Sequence, residues 1–232
     1  MSNIVENLSI IWITRKDERE DSFIKEFFEK REYNYEYEKI IVGHTNLNPE
    51  KYKFKYIPFW DYGLDEMGLI SLKKNLGIHN ATKEYSLVLH ADTFPTKNTF
   101  TNISNISLTD KDVIAPVGLV MAPWGEILNT RGLTWADSSN KEDIAKWNEW
   151  RLKNQLFNDL VRHKMPGESI TDGTYISGAA IFAKTNTFKD TKWNNNLGHV
   201  QGEDIEYSRR LISLGYNLTC DERIEVYMHN HT

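Results

Sequence analysis

The chain has 232 residues, 40% hydrophobic and 26% charged, with a net charge of −5 and one cysteine, Cys220. This composition suits one globular core and excludes a disulfide framework. It disfavours nucleic acid as the main partner, because binding by phosphate neutralisation calls for a basic surface.

No apolar run approaches membrane-spanning length. The start, MSNIVENLSIIWIT, lacks the basic region and apolar stretch of a signal peptide, so a cytosolic protein is expected. Residues 8–14, LSIIWIT, read as a buried strand. Residues 17–33 carry Phe23, Ile24, Phe27 and Phe28 at helical spacing among charges and predict an amphipathic helix. EKIIVG (38–43) is a second strand, and KYIPFW (55–60) a short one that Pro58 places at an edge or an end. Residues 65–82 have helical period. EYSLVLHADTFP (84–95) is the clearest strand, stopped by Pro95, and KDVIAPVG (111–118) is another.

The middle changes character. Residues 121–140 hold turn residues and Trp124 and Trp135 with little period, and read as a loop. Residues 141–164 read as a long helix. GTYISGAAIFAK (173–184) reads as one strand with a small-residue break at Ser177–Gly178. GEDIEYSRRLISLGY (202–216) is a helix that Gly215 stops. RIEVYMHNH (223–231) is a final strand. Strands alternating with helices argue for a mostly parallel sheet covered on both faces, with ligands at the carboxyl ends of the strands.

Three clusters fall where elements end: His90-Ala91-Asp92, Glu203-Asp204, and His229 with His231. Acids at a helix start also have a plain electrostatic explanation, since they face unpaired N–H groups. Carboxylates with imidazoles suit Mn²⁺, and oxygen ligands alone suit Mg²⁺.

These residues carry a resemblance to GT-A glycosyltransferases, nearest the family 2-like and polypeptide GalNAc-transferase-like groups. KKNLGIHNATKEYSLVLHADTFP resembles the segment that ends in their D-x-D motif, with Asn75, Gly77, Ile78, Ala81, Glu84, Tyr85 and Asp92 in place. YISGAAIFAKTNTF resembles the strand that lines the donor-sugar pocket. Residues 202–216 resemble the family's acidic helix at Gly202, Glu203, Asp204, Ile205, Glu206, Arg210, Gly215 and Tyr216.

The resemblance implies an α/β GT-A (Rossmann-like) fold with a mostly parallel central sheet flanked by helices. It implies a single domain over residues 1–232, with 1–118 as the nucleotide-binding half and 119–232 as the acceptor and catalytic half. It also implies a transferase using Mn²⁺ or Mg²⁺ and a nucleotide-sugar, UDP-linked, acting on a carbohydrate, lipid-linked sugar or protein acceptor. The expected nucleotide-sugar contacts are Thr14, Arg15, His44, Lys74, Asn75, His90, Asp92, Ser177 and Gly178. The expected metal ligands are Asp92 with His90, His229 and His231. Between the last two the reading stays open: His229 directly follows the apolar strand, whereas Met228 and His231 have a spacing found in some relatives.

Three departures stand out. His90 replaces the first acid of D-x-D, Val42-Gly43-His44 replaces an acid-rich turn, and Ile13-Thr14-Arg15 replaces a proline-threonine. Asp204 is the expected general base of an inverting transfer, and Glu203 is expected to bind donor-sugar hydroxyls or the acceptor. Arg210, nearly two turns along, reads as a structural anchor. A catalytically inactive GT-A binding module is the main alternative. A pyrophosphorylase would need a glycine-rich loop after the first strand, and ITRKDERED has no glycine.

Overall fold

The computed structural model describes residues 3–15, 18–31, 35–59, 69–121, 127–132, 134–136, 170, 174–197 and 202–229. The first half runs β1 (Asn3–Ile13), α1 (Glu18–Glu26) with a π-helical turn (Phe27–Arg31), β2 (Tyr35–Gly43), α2 (Pro49–Tyr52), β3 (Lys55–Pro58) and α3 (Ile70–Asn80). It continues with β4 (Tyr85–His90), β5 (Thr93–Pro95), α4 (Lys97–Asn102) and β6 (Asp112–Met121). The second half has β7 (Ile127–Gly132), β8 (Thr134–Ala136), β9 (Thr174–Ile176), β10 (Ala180–Lys184), α5 (Thr185–Thr191), α6 (Glu203–Ser213) and β11 (Asn217–His229).

β1 is buried on both faces. Side chains alternate along a strand, so its apolar run divides between two cores. Ile10 and Trp12 share one with Ile24, Phe27 and Phe28 of the first helical segment. Ile11 and Ile13 share the other with Ile78 of α3 and Tyr207 and Leu211 of α6. The buried Trp12 indole donates to Thr93 O (3.1 Å), which satisfies its one polar atom.

The main sheet has the order β3-β2-β1-β4-β10-β6-β11-β5, with β7 beside β6. β3, β2, β1 and β4 are mutually parallel, as are β6 and β11. β10 runs antiparallel to both β4 and β6. That reversal brings the start of β10, not its end, to the rim where β1, β2, β4 and β11 finish. β3 lies at the edge, where Pro58 was expected to put it.

Three sequence expectations change. The stretch 84–95 is not one strand. It breaks at Ala91–Asp92, and β5 crosses to pair antiparallel with β11. The stretch 121–140, expected as a loop, contains β7 and β8. The stretch 173–184 is two strands in different sheets: β9 pairs with β8, while β10 joins the main sheet. The predicted helix over 141–164 lies outside the described residues. Among the described residues no helix is long and apolar enough to cross a membrane.

α3 seats on β1 and β2 through Gly77, where an added Cβ would fall on Ile11 Cγ2 and touch Val42 Cγ2. Overpacking of this kind costs about 1–3 kcal/mol, against roughly 1 kcal/mol gained by removing a helical glycine. Gly77→Ala is therefore expected to lower stability. Urea unfolding reads this as a lower midpoint at an unchanged slope.

Candidate active site

The acids that open α6 take different partners. Glu206 pairs with Arg210 one turn on (2.7 Å), and Arg210 also donates to the carbonyls of Thr191 and Lys192 (2.7 Å each). That part of the helix is an anchor. Glu203 and Asp204 turn inward to Lys74 of α3, whose Nζ lies 3.0 Å from Asp204 Oδ1 and 3.5 Å from Glu203 Oε1. The Lys74 and Glu203 side chains are 0% and 1% exposed, and Asp204 keeps 12%.

Asp204 Oδ2 also accepts from Gly178 N (2.6 Å). A Cβ at Gly178 would overlap both Asp204 oxygens and sit 2.7 Å from Lys74 Nζ, so only glycine fits this turn. Burial, reinforced by the Glu203 charge and opposed by Lys74, pushes the Asp204 carboxyl up to about 6. A carboxylate removed from water favours its protonated form even beside an ammonium.

The turn that ends in Ala179 links this cluster to the strand rim. His90 N donates to Ala179 O (3.0 Å), and His229 N donates to Asp92 O (3.0 Å). Met228 pairs with Thr93, so β11 runs alongside the chain where it turns from β4 into β5 and meets Asp92 through the backbone. The His229 ring stacks on Phe23 (4.3 Å, 7°) and meets Phe94 edge-on (5.8 Å). Stacking fixes the plane of an imidazole while its nitrogens lie at the ring edge, where a ligand binds. A carboxylate and an imidazole are donors that suit a divalent cation, and the residues that carry them, Asp92 and His229, are joined here by a backbone hydrogen bond. Among the described residues no group of three such side chains converges, and His231 lies outside them.

The residues expected at the nucleotide divide. Arg15, His44, His90 and Asp92 are half-buried at the rim. Thr14 is buried, and its N and Oγ1 both donate to Val42 O (2.9 and 3.3 Å). Gly43, at φ 130°, lets the chain pass Thr14 where a side chain would collide with Thr14 O. Ser177 is buried and its Oγ accepts from Ala179 N (3.3 Å). Asn75 clips another segment in place: its Oδ1 accepts from Trp193 N (2.9 Å) and its Nδ2 donates to Trp193 O (2.8 Å). Trp193 is itself buried, stacked on Tyr207 (4.2 Å). Trp135 lies in β8, and Trp124 lies outside the described residues.

Two buried charges escaped the sequence reading, Glu20 and Lys73. Glu20 shares the helical stripe of Ile24, Phe27 and Phe28, and that position was its one signal. Lys73 sits beside Lys74, and nothing in the sequence separates their roles.

A model of the glycosyltransferase (GlcNAc) family matches residues 81–232. The chain belongs to this glycosyltransferase family. Among curated proteins no sequence matches it. Among solved structures the chain resembles GalNAc-T7, crystallised with UDP, GalNAc and Mn²⁺, with TM-score 0.62 and 13% identity over 97% of this chain and 43% of that one. It also resembles residues 1–349 of S. aureus TarS, with TM-score 0.57 and 14% identity over 96% of this chain and 60% of that one. The chain thus spans less than two thirds of either structure. At these identities the likeness establishes the fold alone.

The raised Asp204 value sets a pH dependence. The folded state holds this proton more tightly than the unfolded one, so the contribution is full below the ordinary 3.8 and is lost as pH rises through about 6. Asp204→Asn, which can still accept from Gly178 N, is expected to remove that decline. Urea-unfolding free energies of both proteins from pH 3.5 to 7.5, subtracted from one another, isolate the effect.

Proposed function

We propose that this glycosyltransferase moves a sugar from a UDP-linked donor to an acceptor hydroxyl with inversion, using a divalent cation at Asp92 and His229 and Asp204 as general base. One observation carries the reading: a continuous set of contacts, His229 to Asp92, His90 to Ala179, and Gly178 to Asp204 and on to Lys74, gathers distant residues on one rim. The GalNAc-T7 structure, which holds UDP, GalNAc and Mn²⁺, supports a nucleotide-sugar and a metal here by fold likeness. The family's name and that sugar together favour N-acetylhexosamines as first donors to try.

As the glycosidic bond breaks, negative charge grows on the departing diphosphate. A cation bound at Asp92 and His229 would supply the electrostatic stabilisation of that charge. Arg15, half-exposed on the same rim, adds fixed positive charge. The acceptor hydroxyl must lose its proton as it attacks. A base works best with a proton affinity near the working pH, and Asp204, raised to about 6 by burial, is ionised at neutral pH yet more basic than an exposed aspartate. Gly178 N and Lys74 hold its carboxylate in one orientation. Glu203 is buried against Lys74. Its role in this reading is to anchor that lysine, not to touch the acceptor.

The test is a screen of nucleotide-sugars with Mn²⁺ for thermal stabilisation, followed by transfer or donor-hydrolysis assays. Asp204→Asn is expected to keep donor binding and lose about 10²–10⁴ in turnover. Asp92→Ala is expected to lose the Mn²⁺-dependent part of binding. NMR of the product anomer decides the stereochemistry: retained configuration removes Asp204 as base. Unchanged turnover in Asp204→Asn removes the mechanism, and donor binding without turnover in the wild type leaves a binding module.

A further inference from the structure

The peptide group between Thr14 and Arg15, at the end of β1, is held from both sides by buried charges. Its carbonyl, Thr14 O, accepts from Lys73 Nζ of α3 (3.1 Å). Its N–H, on Arg15, donates to Glu20 Oε2 of α1 (2.6 Å). The other Glu20 oxygen accepts from Arg15 Nε (2.7 Å). Lys73 and Glu20 are 1% and 3% exposed, whereas the Arg15 side chain is 42% exposed. Asp92 lies close enough for its charge to act on Glu20, and α1, which carries Glu20, also stacks Phe23 on the His229 ring.

A strand end needs only one neutral acceptor for its last N–H. Burying a full carboxylate there is costly unless the charge has a further use. Glu20 has one, because it grips the backbone and the side chain of the same residue. A guanidinium held through Nε has its plane fixed, and that planar fork is the arrangement that matches a phosphate.

We infer that Glu20 is a positioning residue that acts through Arg15, aiming its guanidinium at the diphosphate of the nucleotide donor, with Lys73 fixing the peptide from the opposite side. The inference rests on the donor reading above and adds to it a residue that the family resemblance did not indicate. It also means that the Arg15 N–H is engaged by Glu20 and is not offered to the nucleotide, so recognition on this side passes through the Arg15 side chain.

The experiment is calorimetric titration with UDP in the presence of Mn²⁺, on the wild type, Arg15→Ala, Glu20→Gln and the double variant, at one ionic strength. Arg15→Ala is expected to weaken UDP binding by at least about tenfold, the size of a lost charged hydrogen bond. Glu20→Gln sets an amide NH₂ against one of the two Arg15 donors and is expected to weaken binding several-fold. The double variant is expected to bind no more weakly than Arg15→Ala alone, because a residue that acts only through Arg15 has nothing left to position. Should Glu20→Gln not fold, Glu20→Asp serves: it keeps the charge but is one methylene too short to reach both donors, and the same non-additivity is expected. Two results overturn the inference: a folded Glu20 variant that binds UDP like the wild type, or losses that multiply in the double variant. If the wild type binds none of UDP, GDP and dTDP with Mn²⁺, the donor reading itself fails and takes this inference with it.

Discussion

The buried Lys74 ammonium ties together parts of the chain that sequence keeps far apart; Lys74 and Asp204 are 130 positions apart. On α3 it meets the first turn of α6, and through Asp204 it reaches the Gly178 turn before β10. Removing one partner from such a buried set typically costs about 3–5 kcal/mol, because the remaining charge is stranded away from water. The cluster therefore fixes α6 against α3, and it does so while holding one more negative than positive charge. Removal from water is the physical source of the raised proton affinity of Asp204; the Lys74 charge works against it and the Glu203 charge only adds to it.

The rest of the site follows from strand direction. Had β10 run parallel to β4, its start, and the Ser177–Ala179 turn with it, would lie at the opposite end of the sheet from His90. Because it is reversed, the glycine turn, the end of β4 and the acidic helix start meet on one rim. The break at Ala91–Asp92 does similar service for His229. β5 leaves β4 and pairs with the far strand β11, so a residue near the middle of the chain comes to face one near its end. Pro95, which has no N–H to give, ends β5.

Much of the fold was legible. The apolar runs of β1, β2 and β4 and the periodic pattern of α6 announced themselves through burial, and burial leaves a period in the sequence. Gly77, Gly178 and Gly202 could be picked out by resemblance, and the structure supplies a steric reason for the first two. The loop expected over 121–140 was misread because β7 and β8 are short and lack clean alternation. The stretch 173–184 was read as one strand because two short strands either side of a tight turn look like one interrupted strand.

The sequence by itself determined which residue types were available at the element ends: acids in the first turn of α6, His-Ala-Asp where β4 ends, a histidine closing β11. It determined these because element boundaries and apolar periods are local properties. Only the tertiary structure decided what each polar group does. Asn75 and Lys74 are adjacent on α3, yet one clips the backbone of Trp193 and the other neutralises Asp204. Glu20 and Glu18 look alike within one acidic helix, yet only Glu20 is buried and grips Arg15. A charge is assigned its partner by the low-dielectric space it is folded into, and that space is built by tertiary packing, whether the partner is five positions away, as for Glu20, or 130, as for Lys74.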